Sequence, residues 1–120
     1  MGEPFESSAG VRGLRDRVDQ IIEERLADPH FTVHQMADLL GMSRTRLHRL
    51  ARRRLGTSPG RMLRCARLTR SAKLLLSTDQ RVGRIAREVG YPDPAHFTRS
   101  FKRRFGVTPT TYREAVPRDA

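Results

Sequence analysis

Two stretches of this sequence, about 50 residues apart, spell the same unit. Met36-Ala37 matches Ile85-Ala86, and Leu40-Gly41 matches Val89-Gly90. With one residue inserted in the second copy, Leu47 matches Phe97, Arg49 matches Arg99, and Arg52-Arg53-Arg54 matches Lys102-Arg103-Arg104. Gly56-Thr57-Ser58-Pro59 then matches Gly106-Val107-Thr108-Pro109. A glycine, a capping hydroxyl, a proline and a basic triplet rarely coincide by chance. The chain therefore folds as two copies of one small unit, and whatever one copy does the other is expected to do nearby.

Each copy reads as a pair of short helices. Thr32 and Gln35 form a capping box, with Phe31 ahead of it as a hydrophobic staple. The helix they open carries Val33, Met36, Ala37, Leu39 and Leu40, and Gly41 is a natural stop. Ser43 caps a second helix with Leu47, Leu50 and Ala51 on one face, ending at Gly56. Two short helices around a glycine turn make a helix-turn-helix. In the second copy Val82, Ile85, Ala86 and Val89 precede Gly90, and Asp93-Pro94 opens a helix with Phe97, Phe101 and Phe105 that stops at Gly106. Thr108-Pro109 starts a last short helix.

Three further segments complete the layout. Leu14, Val18, Ile21, Ile22, Arg25 and Leu26 recur at helical spacing, which predicts a helix over 12–27 that ends before Asp28-Pro29. Ser58-Pro59 opens the longest helix, which runs on to Thr78-Asp79-Gln80. The expected organisation is a leader or linker over 1–11, a helix-turn-helix subdomain over 12–57, a linker helix over 58–77, a second subdomain over 78–116 and a tail over 117–120. The fold class is all-α, with about seven helices.

Charge points to the partner. Residues 1–40 hold four arginines against eight acids, a net of −4, which leaves +15 for residues 41–120. No acid occurs from Gly41 to Thr78. A field this lopsided attracts polyanions. Of the 24 cations, 22 are arginine, whose planar fork grips phosphate or a guanine edge in a bidentate manner; only Lys73 and Lys102 are lysine. Arginine-rich codon usage in a GC-rich genome would account for much of that ratio but not for the clustering.

At about 100° per residue, turning Leu47 inward points Thr45, Arg49 and Arg52 away from the core, with Arg46, His48 and Arg53 beside them. Turning Phe97 inward exposes Ala95, Arg99 and Lys102, flanked by His96, Thr98 and Arg103. The start of a second helix meets base edges and its continuation meets the backbone. Base readout is therefore assigned to Thr45, Arg46, His48 and Arg49 and to Ala95, His96, Thr98 and Arg99. Phosphate contact is assigned to Ser43, Arg44, Arg52, Arg53, Lys102 and Arg103. Arg49 and Arg99 suit guanine O6 and N7, and Ala95 suits a thymine methyl.

Other chemistries find little support. His30 and His34 are four residues apart, but no cysteine or suitably spaced carboxylate completes a metal site. The lone Cys65 lies in an apolar pattern and reads as a small buried side chain. No phosphate-binding glycine loop, nucleophile elbow or carboxylate pair is present, so neither an enzyme nor a cofactor is expected. The longest aliphatic run, Leu74 to Leu76, is far short of the roughly 20 residues a membrane span needs. With no apolar leader in MGEPFESSAG, the expected location is cytoplasmic, on the nucleoid. The competing function is a nucleoid-type structural protein that coats DNA without sequence preference. It explains the charge but not the matched helices.

These residues resemble the DNA-binding domain of the AraC family of bacterial transcription regulators. IAREVGYPDPAHFTRSFKRRFGVTPTTYR, from Ile85 to Arg113, is similar to the family's second helix-turn-helix, and FTVHQMADLLGMSRTRLHRL to its first. The resemblance covers Arg12 to Glu114. It implies seven helices, the third and sixth being recognition helices separated by the long fourth, and activation of transcription through RNA polymerase. GMSRTRLHRL is similar to output domains of hybrid two-component sensors, which implies an N-terminal sensor or receiver domain as a partner; the alternative is a stand-alone regulator controlled by its own abundance. Three positions depart from the family pattern. Ala51 stands where a larger residue is usual, implying looser packing. Arg81 and Gly83 weaken the fifth helix, since interior glycine costs about 1 kcal/mol against alanine.

Overall fold

The computed structural model describes residues 8–115, and among these every regular element is helical. α1 (Ser8–Arg25) buries Leu14, Val18 and Ile22, one residue per turn along a single stripe. It starts four residues inside the expected leader. Gly10 is no obstacle in a first turn, where amides have no intrahelical partner anyway. The rest of that leader, 1–7, and the expected tail, 117–120, lie outside the described residues. α1 also stops two residues earlier than expected. The carbonyls beyond it are taken by a side chain: the Leu26 oxygen accepts from Arg67 Nε at 2.8 Å and the Asp28 oxygen from Arg67 Nη2 at 2.8 Å.

α2 (Val33–Leu39) opens on the expected capping box. The Gln35 amide donates to Thr32 Oγ1 at 3.2 Å and the Thr32 amide to Gln35 Oε1 at 3.0 Å. Its end is a Schellman turn, with Gly41 at φ +71° and the Met42 amide donating to the Ala37 oxygen at 3.0 Å. α5 (Val82–Glu88) ends in the same way, with Gly90 at φ +95° and the Tyr91 amide donating to the Ala86 oxygen at 2.9 Å. The two copies thus agree down to individual hydrogen bonds. At its start α5 has only Arg81, with no side-chain cap, as the sequence implies.

The second helices of the two copies differ. α3 (Arg44–Leu50) continues as a π-helical turn over Ala51–Leu55, whereas its counterpart α6 (Pro94–Phe105) is α-helical throughout. The widened turn begins where Ala51 replaces the bulk that Phe101 supplies in the second copy. Ala51 is buried all the same, at 1% exposure. α4 (Pro59–Ser77) and α7 (Pro109–Ala115) both start at a buried proline behind a hydroxyl cap. Ser58 Oγ accepts from the Arg61 amide and Thr108 Oγ1 from the Thr111 amide, each at 3.2 Å.

The chain packs as two compact units. The first joins α1 to Phe31–Arg64, and the second joins the loop Leu26–His30 to the described residues from Cys65 to Ala115. Leu14, Val18, Ile22, Met36, Leu47 and Leu50 give the first an aliphatic core. In the second, aromatic rings run in sequence from Tyr91 to Phe97, Phe101, Phe105 and Tyr112, with centroids 4.5 to 5.8 Å apart. Two expectations fail. Leu39, expected among the apolar residues of its helix, is 44% exposed, because it lies off the stripe that Met36, Ala37 and Leu40 define. Cys65, expected to be buried, is half-buried, at the edge of the apolar face of α4.

Candidate nucleic-acid interface

In the first unit the outward face of α3 is set by what it opposes. Leu47, Leu50 and Ala51 are buried, which turns Thr45, His48, Arg49, Arg52 and Arg53 to solvent and leaves Arg46 half-buried at the margin. Ser43 Oγ accepts from the Arg46 amide at 3.1 Å, so this side chain also fixes the start of α3. Arg44, Thr45, His48, Arg49, Arg52 and Arg53 line one groove of about 720 Å³, together with Val33 and Ser58, Pro59 and Gly60. Six of the eight assigned residues of this unit therefore converge on one concave, cationic surface. Ser43 and Arg46 lie outside that lining. The contribution of Val33 and of the start of α4 depends on how helices stack, and no sequence pattern announces it.

In the second unit Phe97 and Phe101 are buried, and Ala95, His96, Arg99, Lys102 and Arg103 are exposed on the opposite side, with Thr98 half-buried. Asp93 Oδ1 accepts from the Ala95 amide at 3.1 Å and, with Pro94 following, fixes the start of α6. His96 is not a free side chain: its ring meets Tyr91 edge-on, with centroids 5.4 Å apart and planes at 76°. Lys102, Arg103 and Arg104 occupy the last turn of α6, where cations complement the helix dipole.

Not every arginine serves the surface. Arg67 donates to the carbonyls beyond α1, as above. Arg113 serves the C-terminal end of α4 in a similar way, from Nε to the Leu75 oxygen at 2.9 Å and from Nη2 to the Thr78 oxygen at 3.1 Å. A planar fork with parallel donors suits two carbonyls at a helix end. Burial holds the Arg67 guanidinium below its usual pKa, an effect that nearby Tyr91 and Asp28 partly offset. His34 and Asp38 form an exposed pair at 3.7 Å, and no group of three or more metal-ligating side chains occurs among the described residues. Among these residues no helix is long and apolar enough to cross a membrane.

Two helix-turn-helix units, each turning a polar, cationic face outward from its second helix, define a DNA-binding class of fold. Comparison with known proteins agrees. A family model described as a helix-turn-helix domain matches residues 36–115. The transcriptional activator NphR of a Rhodococcus species is 36% identical over 110 residues, 90% of this chain and 32% of that protein. The C-terminal domain of AraT, a response regulator from Geobacillus stearothermophilus, superposes with a TM-score of 0.83 at 31% identity, covering 89% of this chain and 88% of that one. The DNA-binding domain of AdpA, a global transcriptional factor solved in complex with a target DNA, gives 0.78 at 29% identity, covering 85% and 90%. The chain belongs to the AraC family of helix-turn-helix transcription regulators. It spans about a third of the length of the curated relatives it first matches.

Proposed function

We propose that this chain reads a bipartite double-stranded DNA site, with α3 and α6 in successive major grooves, and thereby regulates transcription. The observation that carries this reading is the matched pair of outward faces: Arg49 and Arg99 occupy the same position on two capped helices whose other sides are buried. In this reading Thr45, Arg46, His48 and Arg49 meet bases in one half-site, and Ala95, His96, Thr98 and Arg99 in the other. Ser43, Arg44, Arg52, Arg53, Lys102 and Arg103 hold phosphates. The proposed subdomains are 12–57 and 78–116, with the 19-residue α4 as the helix that links them along the chain. RNA polymerase and an N-terminal sensor or receiver domain are the protein partners; similarity to the C-terminal domain of a response regulator supports the second.

Selection from random duplex DNA tests this. Arg49→Ala and Arg99→Ala should each relax base preference in a different half of the selected site, by about 1–3 kcal/mol for each lost bidentate contact. Mutants that keep the parental preference would remove both residues from base readout. A nucleoid-type coating protein would select no site at all, because its affinities for specific and random duplex coincide.

The charge reading has its own signature. Each arginine or lysine on a phosphate releases condensed counterions, so log affinity should fall linearly with log salt. Arg52→Ala or Lys102→Ala should weaken binding about equally for all sequences and make that slope shallower by about one. A slope unchanged by either substitution would take these side chains off the backbone.

A further inference from the structure

The turn between α5 and α6 holds a contact that DNA binding as described above does not use. Tyr91 is 4% exposed. Its amide closes the Schellman turn on Ala86, and its ring packs against the fully buried Phe97, with centroids 5.4 Å apart and planes at 60°. On another side the same ring meets His96 edge-on at 5.4 Å. Neighbours crowd the backbone just before it: a Cβ on Gly90 would collide with the Leu26 carbonyl oxygen and lie 2.7 Å from Arg67 Nε. Tyr91 is therefore a buried ring packed on two sides, and His96, exposed in the first turn of α6, leans on it.

We propose that Tyr91 is a specificity-determining residue which acts through His96, holding the imidazole in one orientation on the base-reading face. This rests on the DNA-binding reading given above. An exposed histidine in a helical first turn samples several rotamers, and binding DNA must freeze one of them. An aromatic edge-to-face contact selects the rotamer beforehand, so less ordering remains for the complex. An imidazole held in one plane also presents its ring nitrogens in fixed directions, which favours one base edge over others. The first unit lacks this pair. Met42 occupies the position of Tyr91 and has no ring, and Arg46 occupies that of His96.

The test uses the whole chain with Tyr91→Leu, which keeps apolar bulk without a ring, Tyr91→Phe, which keeps the ring, and His96→Ala. Base preference is measured at each position of the selected site, and the His96 imidazole protons are followed by NMR in the free protein. Tyr91→Leu should lower discrimination about three- to tenfold at one base pair of the α6 half-site and leave the base read by Arg99 untouched. Tyr91→Phe should match the parent. His96→Ala should abolish preference at the same pair, and adding Tyr91→Leu to it should change nothing more there. Ring-current displacement of the imidazole signals should be present in the parent and in Tyr91→Phe and lost in Tyr91→Leu. Uniform weakening on all sequences by Tyr91→Leu overturns the proposal, as do undisplaced His96 signals in the parent, a measurement that stands even where Tyr91→Leu does not fold. Absence of any base preference in the parent defeats the DNA reading itself, and this inference with it. Preference retained at the Arg99 base with none assignable to His96 defeats this inference alone.

Discussion

Replacing Gly90 with alanine is expected to cost about 3–5 kcal/mol, enough to unfold much of a domain whose whole stability is about 5–15 kcal/mol. Two independent terms combine. At φ +95° the residue sits in a region that side chains rarely enter, at a cost of order 1–3 kcal/mol. The added methyl would also collide with the Leu26 carbonyl oxygen and crowd Arg67, whose Nε and Cζ lie 2.7 and 3.1 Å away. Neither neighbour can yield cheaply. Arg67 is committed to the Leu26 and Asp28 carbonyls at 2.8 Å each, and moving it strands partly buried donors. Gly41 is the control. It has the same place in the first repeat and φ +71°, but a methyl added there would meet nothing within 4 Å. Gly41→Ala should therefore cost only about 1–2 kcal/mol, the left-handed penalty alone. Urea denaturation of both variants measures the difference. Equal losses would mean that the crowding around Gly90 has no energetic weight.

Much of this molecule is legible in its sequence, and particular residues explain why. Thr32, Ser43, Ser58, Asp93 and Thr108 announce helix starts because a cap is a local interaction, reaching only two or three residues along the chain. The outward faces of α3 and α6 follow from periodicity once Leu47 and Phe97 set the phase. Arg46 and Thr98, at the margins of those faces, are half-buried because phase alone does not define where a margin meets its neighbours.

Interactions across long stretches of sequence are hidden. Arg67 and Arg113 look like any of the other arginines, yet they cap carbonyls 35 to 41 residues away. The π-helical turn at Ala51 is equally unreadable, since the hydrogen-bond register there answers to packing and not to propensity. The participation of Ser58, Pro59 and Gly60 in the cationic groove needs the start of α4 to be folded against α3. Tyr91 is visible only as an apolar residue after a glycine until its ring is seen against His96.

Whether the two matched helices read one site as a unit is tested by DNA phasing. A site selected by the parent chain is rebuilt with five extra base pairs between its halves, roughly half a turn of B-DNA, and binding is measured at constant salt. If the two helices act as one reader, as proposed, α3 can still enter its groove while α6 meets the wrong side of the duplex. Affinity should fall on the order of tenfold or more, consistent with losing contacts worth about 1–3 kcal/mol each, and protection should shrink to one half-site. The same insertion in flanking DNA should have no effect. Undiminished affinity for the interrupted site, with both halves still protected, would mean that the two helices do not act as one rigid reader.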